Sequence, residues 1–87
     1  TRDETFRIRY MAAHLAALSR ARARGLDVRG YFHWTAVDNY EWAHGFGDAR
    51  FGLIGFDPDT RERHLERSAR WLARVIAQGG FAPGDVP

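Results

Sequence analysis

The sequence contains no cysteine and no lysine, and its 87 residues include only three prolines and one methionine. Without cysteine there is no disulfide and no thiolate–metal staple, and the redox compartment leaves no mark on the chain. A chain of this length buries only about 60–65% of the surface that its unfolded form exposes. Thin burial without a staple allows one small domain at most. No apolar run approaches the roughly 20 residues that a membrane-spanning helix needs, and no signal-peptide pattern is visible at the start. The expectation is a soluble, cytoplasmic chain with no membrane contact.

The absence of lysine makes all thirteen basic residues arginine, interleaved with eleven acids to a net charge of +2. Nucleic-acid binding asks for basic residues gathered on one face or arm. Here they alternate with acids, as in "DTRER" (59–63). The one dense run, "SRARARG" (19–25), closes a helical pattern, where cations favour the macrodipole. These arginines read as solvated helix faces, and no nucleic-acid partner is expected. His14, His33, His44 and His64 lack metal-ligand spacing, so neither metal nor cofactor is expected.

What is present begins with Asp3 and Glu4, placed where a helix start favours acids. Ile8, Met11, Leu15 and Leu18, widened by Phe6 and Ala12, make a helical stripe. Gly25 is a natural stop, and the pattern predicts a helix over about residues 4–24. In "DVRGYFHW" (27–34), Val28, Tyr31, Phe32 and Trp34 are strand formers. A run bulky on both faces predicts a strand buried on both sides, as in a parallel sheet. Gly30 within it predicts a close backbone approach.

"RFGLIGFD" (50–57) predicts a second short strand, and "DPDT" (57–60) a turn. Leu65, Ala69, Leu72 and Ile76 mark a second amphipathic helix, flanked by Trp71 and Val75 and ended by Gly79-Gly80. "APGDVP" (82–87) reads as a surface tail. A parallel-type strand needs neighbours on both edges, and this chain offers one short candidate. The order helix, strand, loop, strand, helix is therefore expected to be a slice of a larger α/β protein, incomplete as a domain over residues 1–87.

Between the two strands lies "HWTAVDNYEWAHGF" (33–46), dense in aromatics, acids and amides. It has neither helical period nor strand alternation. Such a composition reads as a binding surface.

The run from Val28 through "VRGYFHWTAVDNYEWAHGFGDARFGLIGFD" resembles the C-terminal part of glycoside hydrolase family 1, the β-glucosidase and β-galactosidase family. Members of that family read G-Y-x-x-W-S-x-x-D-N-x-E-W-x-x-G-[YF], then R-F-G-L and an aspartate. The flanks "RIRYMAAHLAALSRARARGLDVRGY" and "TRERHLERSARWLARVIAQGG" resemble the helix before the eighth strand and the closing helix. The resemblance covers essentially the whole chain. It implies an α/β fold, the C-terminal portion of a (β/α)8 TIM barrel, with the aromatic loop at the C-terminal mouth where such barrels place their sites.

The resemblance implies that Trp34 is the platform beneath the sugar at the glycone subsite. Glu41 would accept hydrogen bonds from the hydroxyls on carbons 4 and 6. A carboxylate only accepts, and its two oxygens grip two donors with charge-assisted bonds. Trp42 would donate its indole N–H to a neighbouring hydroxyl, and Phe51 would sit near the hydroxymethyl end. This chain departs from the pattern by one extra residue between Trp42 and Phe51. Asp38 and Asn39 are expected to organise the loop through bonds to backbone. His33 is read as a packed structural histidine; the other reading has it lining the aglycone side.

No catalytic residue is assigned within the chain. The family's proton donor and nucleophile are glutamates in T-x-N-E-P and T-E-N-G motifs, neither of which occurs here. Retaining enzymes hold that pair about 5–5.5 Å apart, and both would lie upstream of Thr1. The expected function is glycone recognition within a retaining β-glycosidase, foremost a β-glucosidase acting on terminal β-D-glucosyl or galactosyl residues. Its expected partners are a β-glycoside or oligosaccharide and the N-terminal remainder of the barrel, and the segment alone is expected to be inactive. The alternative is a non-catalytic carbohydrate-binding or barrel-associating fragment.

Overall fold

The computed structural model describes residues 3–40 and 50–87. Its elements run α1 (Glu4–Ala23), β1 (Ile54–Phe56), β2 (Arg63–Leu65) and α2 (Arg67–Gln78), followed by a 3-10 turn at Pro83–Asp85. Asp3 Oδ1 accepts from the Phe6 backbone N–H at 2.9 Å, satisfying an otherwise orphaned donor at the start of α1. At the other end Gly25 adopts φ 91°, and Leu26 N donates to Ala21 O at 3.2 Å. That wide reverse bond is how a glycine-stopped helix satisfies its last carbonyls. The helix and its stop agree with the sequence pattern to within a residue.

Ile8, Met11 and Ala12 of α1 pack against Trp71 of α2, with Leu15, Leu53, Leu72, Val75, Phe81 and Val86 around them. The helix starts are tied as well: Ser68 N donates to Glu4 Oε1 at 2.8 Å, and Arg67 Nη2 donates to Thr5 Oγ1. The apolar stripe expected on α2 is rotated. Ser68 and Trp71 are its buried residues, Ile76 is exposed, and Leu65 lies in β2, also exposed. Trp71 carries more apolar area than any other side chain of α2, and its N–H needs a partner when buried. It finds one at Asp85 O, 2.9 Å away.

That bond also corrects the reading of 82–87 as a surface tail. Phe81 meets the Trp71 ring at 5.2 Å between centroids, Val86 packs at the core edge, and Arg9 Nε donates to Pro87 O at 2.6 Å.

β1 and β2 form an antiparallel hairpin with Ile54 opposite Leu65, Gly55 opposite His64 and Phe56 opposite Arg63. The "DPDT" turn is its loop: Asp57 Oδ1 accepts from the backbone of Asp59 at 2.9 Å and of Thr60 at 3.3 Å. The sequence pattern did not anticipate β2, whose three residues are all exposed and include one apolar side chain. At Gly55 an added methyl would lie 2.7 Å from Glu66 Oε1 and against the His64 ring, whose Nε2 is 2.7 Å from that same carboxylate oxygen.

The strand expected over "DVRGYFHW" requires correction. Among the described residues, 27–34 join no ladder; the pairing sits slightly later in the chain, as a parallel bridge between Val37 and Ile54. A ladder needs an adjacent strand, and among the described residues the pairing partner, 51–54, lies opposite 35–38. Gly30 faces nothing nearer than the Phe32 ring at 3.6 Å. The close backbone approach occurs at Gly52 instead.

Candidate functional site

Residues 35–38 and 51–54 are stitched together by four backbone bonds. Thr35 N donates to Phe51 O at 3.3 Å, Leu53 N to Thr35 O at 2.9 Å, Ile54 N to Ala36 O at 2.8 Å, and Asp38 N to Ile54 O at 3.0 Å. The two segments lie so close at Gly52 that a methyl there would sit 2.7 Å from Asp38 Oδ1. Only glycine fits that contact. The Asp38 carboxylate takes advantage of it, accepting from Gly52 N at 2.8 Å.

Asn39 Nδ2 donates to Val37 O at 2.9 Å. Both residues thus bond backbone, as the sequence reading expected. His33 Nε2 lies 3.2 Å from Phe51 O, and because a carbonyl only accepts, that nitrogen is the donor. The bond ties half-buried His33 to the backbone of Phe51.

Burial alternates along the segment that leads into this junction. Tyr31, His33, Thr35 and Val37 are half-buried, while Phe32, Trp34 and Ala36 are exposed. The period of two is that of a strand. One face turns toward α1, where burial and, to a smaller extent, the Tyr10 phenol push the Tyr31 phenol up from its usual range. The other face is bare: Phe32 is 95% exposed and Trp34 69%. The peptide bond joining Trp34 to Thr35 is cis.

Of the four residues expected to touch substrate, two are placed. Trp34 stands on the bare face, and Phe51, 42% exposed, lies on the segment paired to its neighbour Thr35. Glu41 and Trp42 lie outside the described residues. Sequence reasoning overlooked Arg7 of α1. Its guanidinium bonds Gly52 O at 2.6 Å and also the Arg50 carbonyl, so it grips the backbone on either side of Phe51. No spacing signals such a contact, because the partners are 43 and 45 residues apart.

An α/β segment with this layout is found in β-glycosidases of known structure. A β-glycosidase crystal structure superposes with a TM-score of 0.84 at 44% identity, covering 94% of this chain and 19% of that one. A family 1 β-glucosidase from Thermotoga maritima gives 0.81 at 35% identity, covering 86% and 17%. The chain belongs to glycosyl hydrolase family 1, whose family model matches residues 1–81. Its relatives include β-glucosidase 16 of Arabidopsis thaliana, 43% identical over 81 residues, covering 90% of this chain and 16% of the relative.

A bifunctional β-D-glucosidase/β-D-fucosidase of Bifidobacterium breve is 48% identical over 71 residues, covering 82% and 15%. The chain therefore spans less than a fifth of the length of the relatives it matches. These neighbours are (β/α)8-barrel enzymes, and the chain folds as a partial helix-and-strand segment of that architecture.

Proposed function

We propose that these residues form the C-terminal segment of a retaining β-glycosidase, foremost a β-glucosidase, and supply its glycone-recognition loop. The observation that carries this reading is the bare tryptophan, Trp34, beside the backbone junction of 35–38 with 51–54 in a chain of glycosyl hydrolase family 1. A large exposed aromatic on a rigid support is an expensive feature for a merely solvated surface. A flat indole face packs well against the apolar C–H face of a pyranose. The Thermotoga β-glucosidase, a neighbour in fold, has been solved with deoxynojirimycin and with isofagomine lactam.

In this reading Glu41 accepts from two sugar hydroxyls, Trp42 donates to a third, and Phe51 walls the hydroxymethyl end. The two catalytic glutamates belong to the remainder of the barrel. Binding energy collected at the glycone holds the anomeric carbon against them and helps distort the ring toward the oxocarbenium-like transition state. The remaining strands would pair along the backbone edge of 27–34 and leave Trp34 open to the sugar, making the segment a part of that barrel and not an autonomous sugar-binding module.

The test uses the full-length barrel that carries these residues and an aryl β-D-glucoside. Glu41→Ala is expected to lower kcat/KM by about two orders of magnitude or more, since two charge-assisted bonds of about 1.5–3 kcal/mol each disappear. Its thermal midpoint is expected to stay near the parent's. Equal kcat/KM in mutant and parent would remove Glu41 from the site.

A further inference from the structure

We infer that Arg7 is a positioning residue for sugar recognition: it sets Phe51 from behind, by clamping the carbonyls on both sides of it to helix α1. The inference rests on the proposed placement of Phe51 at the hydroxymethyl end of the glycone. Three sets of bonds converge on this short stretch. From one side Thr35 N and His33 Nε2 both meet Phe51 O, at 3.3 and 3.2 Å. From the other, Arg7 Nη1 donates to Gly52 O at 2.6 Å and Arg7 Nη2 donates to Arg50 O. Asp38 Oδ1 accepts from Gly52 N at 2.8 Å. Arg7 thus takes the carbonyls of residues 50 and 52, while Thr35 and His33 take the carbonyl of residue 51 between them.

A guanidinium is suited to that task. Its planar fork presents several N–H groups in fixed relative geometry, whereas a lysine ammonium is a single flexible point charge. Bonds from a charged donor to a carbonyl are stronger than neutral ones. The helix that carries Arg7 is itself anchored, because Ile8 beside it is buried in the core against Trp71. Arg7 thus transmits the position of the packed helix pair to the wall of the sugar site. No substrate contact is needed for this.

The consequence is selective. A wall at the hydroxymethyl end restricts the rotamers of the C5–C6 bond, which holds the 6-hydroxyl where Glu41 accepts from it. A loosened wall therefore penalises substrates that carry this hydroxyl and spares those that lack it. A purely structural tie would penalise both alike.

The experiment compares an aryl β-D-glucoside with its 6-deoxy analogue, using the full-length enzyme below the midpoint of each variant. The variants are Arg7→Met, Arg7→Lys, Phe51→Ala and the double variant Arg7→Met/Phe51→Ala. Arg7→Met is expected to lower the ratio of kcat/KM for glucoside over 6-deoxyglucoside by about tenfold, the scale on which sub-ångström to ångström misplacement acts. Arg7→Lys should move the ratio part of the way. Phe51→Ala should move it in the same direction, and the double variant no further than Phe51→Ala alone.

Equal losses on both sugars, or a lowered midpoint with an unchanged ratio, overturn the inference while leaving the reading of Phe51 intact. If Arg7→Met does not fold, Arg7→Lys alone decides by the same ratio. An unchanged ratio in Phe51→Ala overturns the reading of Phe51 and the inference with it.

Discussion

The two ends of this small fold handle their aromatic residues in opposite ways. In the helix pair, Trp71 is 2% exposed, its ring meets Phe81, and its N–H is bonded to Asp85 O. In the segment leading to the candidate site, Trp34 and Phe32 stand on a bare face although the backbone at 35–38 is firmly paired. The first tryptophan completes its packing within the chain. The second is held rigidly and left uncovered. Side chains whose position is fixed by a scaffold but whose surface is uncovered await either a neighbouring strand or a ligand.

Breaking the packed end should give the largest effect on stability. Trp71→Ala in the full-length protein is expected to destabilise by about 3–5 kcal/mol, because it opens a cavity between α1 and α2. Thermal denaturation would show it, and kcat/KM well below the midpoint should stay near the parent's. Preserved stability would mean that the α1–α2 contact is not a core.

Trp34→Ala should behave in the reverse manner. It is expected to lower kcat/KM on an aryl β-glucoside by about ten- to a hundredfold, equivalent to the roughly 1.5–3 kcal/mol carried by one buried apolar side chain. The midpoint should barely move. If both tryptophan variants mainly lost stability, the contrast between the two ends would collapse.

A smaller effect belongs to the hairpin loop. Backbone bonds from Asp59 and Thr60 hold the Asp57 carboxylate below its usual range. A group with a lowered folded pKa stabilises the fold above its unfolded pKa, about 3.9 for aspartate, and ceases to do so as pH falls through the folded value. The hairpin amides are expected to shift in NMR spectra only in strong acid, below about pH 4. Asp57→Asn should abolish that acid transition. The same acid transition in Asp57→Asn would contradict this assignment.

Much of this contrast was readable in the sequence, for reasons that differ by element. α1 was readable because its start, stop and apolar stripe agree with one another. α2 was readable as a helix but not in its facing, since the spacing of Leu65, Ala69, Leu72 and Ile76 gave no weight to the single largest side chain, Trp71. The hairpin strand Arg63–Leu65 carries no alternation to detect. Residues 82–87 were misread because proline and glycine signal a tail, while Phe81 and Val86, the residues that pin it, look like isolated apolar positions.

The strand at 27–34 had the composition of a buried strand, yet a ladder depends on a partner that composition cannot provide. For the proposed site, Trp34, Glu41, Trp42 and Phe51 are singled out only by their ordered motif. Arg7 was not, because its role arises from the folded approach of α1 to residues 50–52.

The central claim is that this segment grips a pyranose by its hydroxyls. Calorimetric titration of deoxynojirimycin into the full-length enzyme and its Glu41→Gln variant tests it most directly, because glutamine keeps the shape of the side chain and loses its charge. The account predicts a Kd weakened by about tenfold or more in the variant, equivalent to at least one charge-assisted bond of about 1.5–3 kcal/mol. An unchanged Kd, with the inhibitor still bound, would contradict it.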